Sequence, residues 1–121
     1  MNYFTKEEIS CPCCGLFITS PEASDFLKHL NNAREMANIP FKVNSWTRCE
    51  HHNKNIKGSP TSSHLKGIAC DIRYKGNTEL YIIMKALIEN GFNRILIYPR
   101  RYFVHVDSDI DKDQYIIKVM E

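Results

Sequence analysis

Two hydrophobic periods run through this chain. Ala23, Phe26, Leu27, Leu30, Ala33, Arg34 and Ala37 recur at spacings of three and four and mark one face of a helix. Ser20-Pro21-Glu22 gives that helix a serine N-cap and a proline at its first position, and the pattern ends near Asn38. Leu80, Ile83, Met84, Leu87 and Ile88 form the inner stripe of a second helix, which Gly91 stops. Elsewhere the pattern is that of strands. Phe41 to Trp46, Ile68 to Tyr74, Arg94 to Tyr98 and Tyr102 to Val106 read as four strands, and Tyr115 to Val119 as a fifth at the tail. Residues 1–19 read as an irregular arm. Residues 47–63 read as a polar connection with a turn at Gly58-Ser59-Pro60. At roughly 17 residues this connection is long, and such loops often carry function. The order helix, strand, strand, helix, strands predicts an α+β fold. It is a mostly antiparallel sheet covered on one face by helices, in one domain over residues 1–121.

Composition narrows the function classes. The chain is 43% hydrophobic and 25% charged, ordinary for a globular protein. Its net charge of +2 gives no reason to expect nucleic acid as a partner, while permitting mild attraction to an anionic polymer. No apolar run approaches the roughly 20 residues that span a bilayer. The start, Met1 to Glu8, lacks a basic segment followed by an apolar one, so synthesis in the cytoplasm without a signal peptide is expected. A monomer is expected.

Five cysteines are many for this length, and three crowd into Cys11-Pro12-Cys13-Cys14-Gly15. Without a secretory signal a disulfide framework is not the default. Cys11 and Cys14 have C-x-x-C spacing, and Cys49 would have to join them for a second metal site. No four-ligand set is visible in the sequence, and free, partly buried thiols are the favoured reading.

The strongest chemistry lies in Ser62-Ser63-His64-Leu65-Lys66-Gly67-Ile68-Ala69-Cys70-Asp71. In a strand, residues two apart share a face. Asp71 therefore opposes the apolar Ile68, Cys70 and Ile72, and His105 opposes Val104 and Val106. Gly67 permits a tight turn that would let His64 approach Asp71. Two imidazoles and a carboxylate are the three-ligand set of a catalytic zinc with a fourth position for water. The same residues are equally compatible with a surface histidine, a solvated aspartate and a His105–Asp107 pair, and spacing alone leaves both readings open.

The segment Ser62-x-His64-x-x-Gly67-x-Ala69-x-Asp71 resembles the zinc motif of the D-Ala-D-Ala carboxypeptidase family of peptidoglycan metallopeptidases. That family includes zinc carboxypeptidases, L-alanyl-D-glutamate endopeptidases and phage endolysins, and the hedgehog signalling domain shares its fold. The short single-domain branch is the most similar. Its upstream hallmark resembles Ser45-Trp46-Thr47-Arg48-Cys49 with Asn53 and Gly58. Its downstream hallmark resembles Tyr98-Pro99 and Phe103-Val104-His105-Val106-Asp107. Phe4-Thr5-x-x-Glu8 and Cys11-x-x-Cys14-Gly15 match it as well.

The resemblance implies that His64, Asp71 and His105 bind Zn²⁺ in a hydrolase acting on peptidoglycan stem peptides. The site of action would be the cell wall, after release or as a virion component. Arg48 would stabilise the oxyanion or hold a substrate carboxylate. Many family members carry an acidic residue three positions before the last ligand or a histidine two before it. Here those positions are Tyr102 and Phe103. Asp107 is then either the general base or the partner that orients His105, with His51 and His52 as further base candidates. Ser62 is read as a local or substrate contact. Trp46 and Tyr98 are read as core, or else as groove lining. A non-catalytic zinc-containing binding module is the alternative function, and a redox or metal protein built on the cysteines a weaker third.

Overall fold

The computed structural model describes residues 2–121. Ser20 caps α2 (Pro21–Ala37) by accepting from the Ala23 backbone N–H. Asn38 ends the helix in the left-handed conformation. Ala23, Phe26, Leu30 and Ala33 are its buried stripe. In α4 (Asn77–Glu89) the buried residues are Ile83, Ala86 and Leu87. Ile88, expected inside, is half exposed, because the true stripe runs through Ala86.

Five strands make one sheet: β1 (Lys42–Ser45), β2 (Ala69–Arg73), β3 (Arg94–Tyr98), β4 (Phe103–Asp107) and β5 (Ile116–Val119). Their order is β1-β2-β4-β3-β5. All neighbours are antiparallel except β3 and β5, which are parallel. The mixed α+β architecture is the one the residue pattern predicts. Cys70, Ile72, Ile95, Ile97, Val104 and Val106 turn to one face and join the buried residues of α2 and α4 in a common core. Trp46 is sealed into that core, edge-on to Phe4 and Phe26 with centroids 5.2 and 5.5 Å away. At 2% exposure it is core.

Two segments depart from the sequence expectation. The arm contains a short helix, α1 (Lys6–Ile9), held by a reciprocal capping box between Thr5 and Glu8. The polar connection contains α3 (Glu50–Asn55), with Cys49 as its N-cap. A 3-10 turn then covers Ser63–Lys66. Both helices are too short to show an apolar period, and their caps are what hold them. No helix of the described residues is long and apolar enough to cross a membrane.

Candidate metal site

The second face of the sheet carries the polar set. Asp71 and His105 are direct cross-strand partners in the β2–β4 ladder, so the register alone puts carboxylate beside imidazole. His105 Nδ1 lies 2.9 Å from Asp71 Oδ1. His64 arrives from the 3-10 turn, which Gly67 closes at φ +72°. A Cβ on Gly67 would stand 3.1 Å from Ile18 Cβ, so both the conformation and the space call for glycine. His64 Nε2 then lies 3.3 Å from the same Asp71 oxygen. The three side chains offer one ligand atom each, all within 4.8 Å of one another.

Each ring is fixed from behind. His64 Nδ1 donates to the Trp46 carbonyl oxygen. His105 Nε2 donates to Asp107 Oδ2 across 2.7 Å. In the neutral rings these outer nitrogens carry the proton, which leaves the inner ones free to offer lone pairs to a cation beside Asp71. Two lone pairs and a carboxylate oxygen aimed at one point is a donor set that suits a cation. Without one, burial opposes charge on Asp71, but hydrogen bonds from His105 and His64 hold its carboxyl well below the usual range. Burial likewise opposes charge on His105, and the Asp107 and Asp71 carboxylates outweigh it and raise its pKa.

Asp107 is 1% exposed. Its carboxylate is taken up by His105, by Arg94 Nε at 3.0 Å and by the Asp109 N–H at 3.0 Å. It sits behind His105 and is not among the residues that line the cleft over the donor set. Arg48 lies beside the donor set, with Nη2 3.6 Å from Asp71 Oδ2. Its guanidinium is aimed by Ser45 Oγ at 3.1 Å, Asn53 Oδ1 at 3.3 Å and Ser62 Oγ at 3.5 Å. The Ser62 hydroxyl also accepts from the His64 N–H. Asn53 is 3% exposed, and its amide donates to the Ser59 carbonyl. A Cβ on Gly58 would fall 2.1 Å from Asn53 Oδ1. The spacing of Arg48, Asn53 and Gly58 therefore has one physical cause: the asparagine props the arginine, and the glycine makes room for the asparagine.

A cleft of about 810 Å³ opens over the donor set. It is lined by cations from several elements, Arg48, Lys57, Arg73, Arg94, Arg101 and Lys112, and by a single carboxylate, Asp71. Tyr98 lines it and stacks on Phe103 at 4.4 Å. His52 lines it too, whereas His51 is exposed and bonds to Asn55. Tyr102 is exposed on the turn before β4.

Four supporting residues escaped the sequence reading: Arg94, Asp109, Ser63 and Lys66. Asp109 is 1% exposed and accepts from Ser63 Oγ at 2.8 Å and Lys66 Nζ at 3.1 Å. It pins the turn that carries His64. The alternation Asp107-x-Asp109 was the one available signal, and its partners lie on distant segments.

A family model described as Peptidase M15 matches residues 2–107. The chain belongs to the peptidase M15 family. The match spans every residue of the donor set and Arg48 as well. No curated protein matches the chain. M15 peptidases are metal-dependent hydrolases, and His64, Asp71 and His105 are the residues of this M15 chain that could hold such a metal in the cleft.

Proposed function

We propose that this chain is a zinc peptidase that hydrolyses amide bonds in the stem peptides of peptidoglycan, working as a monomer at the cell wall after release or as part of a virion. The observation that carries the reading is the convergence of His64 Nε2, Asp71 Oδ1 and His105 Nδ1 at the floor of an open cationic cleft. Two imidazoles and one carboxylate are a borderline donor set that suits zinc and leaves a position for water. When bound there, zinc would polarise the scissile carbonyl and make a water more acidic.

This chain's own residues supply the rest. Asp107 holds His105 with Nδ1 turned inward and keeps the ring basic. Arg48, propped by Ser45, Asn53 and Ser62, presents a preorganised cation to the oxyanion or to a stem carboxylate. The cations around the cleft attract a substrate rich in carboxylates. Among the lining groups outside the donor set, His52 is the one imidazole, and it is the candidate for proton transfer. Tyr98, on its Phe103 platform, forms an apolar wall for the peptide.

Mass spectrometry of muropeptides after incubation with zinc-loaded protein tests the reading. Loss of terminal D-Ala, or new amine ends within the stem, is expected, and a chelator should suppress either. Unchanged muropeptides with zinc in place would sink it.

A further inference from the structure

The fold assembles a second donor set that the function above does not use. The sequence shows three cysteines in a turn, and the tertiary structure adds a fourth. The Sγ atoms of Cys11, Cys13, Cys14 and Cys49 all lie within 4.8 Å of one another. Cys13 and Cys49 Sγ are 3.4 Å apart, and all four side chains are free thiols. Four sulfurs placed tetrahedrally about zinc at about 2.3 Å stand roughly 3.8 Å from one another. The 3.4 Å pair, and a set that lies wholly within 4.8 Å, are compatible with that spacing.

The surroundings are built to the same end. Gly15, at φ +76°, donates its N–H to the Cys11 carbonyl at 2.8 Å and folds Cys14 back beside Cys11. The Cys49 N–H points at Cys11 Sγ across 3.4 Å, and the His52 N–H at Cys49 Sγ across 3.3 Å. We propose that Cys11, Cys13, Cys14 and Cys49 form a closed, structural zinc site, separate from the His64–Asp71–His105 set. Each thiol gives up its proton to solvent on binding, and no electron transfer is involved. The site has no open position, so its role is mechanical. It staples the N-terminal arm to the residue next to Arg48. The Thr47 N–H to Ile9 carbonyl bond already joins the same two segments at 3.1 Å.

Metal content and X-ray absorption at the zinc edge test the proposal without reference to hydrolysis, so it stands or falls apart from the peptidase reading. The zinc-replete protein is expected to hold about two zinc per chain. It should show a sulfur shell at about 2.3 Å beside a nitrogen and oxygen shell near 2.0 Å. A His64→Ala/His105→Ala variant should keep about one zinc, now with sulfur ligands alone. A Cys11→Ser/Cys14→Ser variant should lose that equivalent and keep the other. A spectrum of the zinc-replete native chain with no sulfur shell would overturn the proposal, whether or not either variant folds. So would complete loss of zinc from the histidine variant.

Discussion

The two nitrogens of His105 face different partners, and that division frames a test of Asp107. Nδ1 looks into the donor set, while Nε2 is held by a carboxylate that Arg94 and the Asp109 amide already occupy. Asp107→Asn is therefore expected to weaken metal affinity by about 10- to 100-fold, measured by competition with a chromogenic chelator. Full occupancy with hydrolysis abolished would instead return Asp107 to the role of base. Arg48 is a fork held at three points, and lysine cannot reproduce that geometry. Arg48→Lys should cut kcat by about 10²-fold or more while metal content stays unchanged. Steady-state kinetics beside metal analysis would check it.

At the level of elements, the site depends on one turn and one ladder. The turn Ser63–Lys66 carries His64, and its exit through Gly67 has no room for a side chain. Gly67→Ala should cost about 1 kcal/mol or more from the left-handed conformation, with a further cost from the Ile18 contact. It should lower the urea midpoint without changing the m-value. His64 should also hold metal less well. The long elements were legible from caps and periods. α2 and α4 each bury a stripe, and Ser20 and Asn38 mark the ends of α2. The helices α1 and α3 were not legible as periods, because each buries a single residue, Ile9 or Asn53. Thr5-x-x-Glu8 does carry a capping-box signal. Cysteine at an N-cap carries almost none.

For the whole molecule, the buried charges set the pH response. In the metal-free protein the pKa of His105 is raised by Asp107 and Asp71 against the effect of burial. The stability from its charge is complete below the ordinary imidazole value of 6.5 and lost as pH rises through the raised one. Metal needs the neutral ring, so binding strengthens over the same interval. Scanning calorimetry from about pH 6 to pH 8 should show a falling midpoint without metal and a widening increment with it. Burial works against charge on Asp107 too, but His105 and its other partners lower its pKa. Stability from that group is present above the usual 3.8 and lost as pH falls below it. The cleft lining sets the salt response. With many cations and one carboxylate there, kcat/KM on an anionic peptide should fall as salt rises, and more steeply than on a neutral one.

The sequence by itself determined the α+β class, the two long helices and the strands. These rest on local periods, caps and residue chemistry, which are properties of neighbouring positions. Only the tertiary structure decided which donors meet. Strand register placed Asp71 opposite His105, a left-handed glycine brought His64 to them, and packing of the arm against the β1–α3 junction carried Cys49 to Cys11, Cys13 and Cys14. The position of Asp107 behind His105 has the same origin. Its other side-chain partner, Arg94, comes from the neighbouring strand, and no spacing along the chain encodes a contact made between strands.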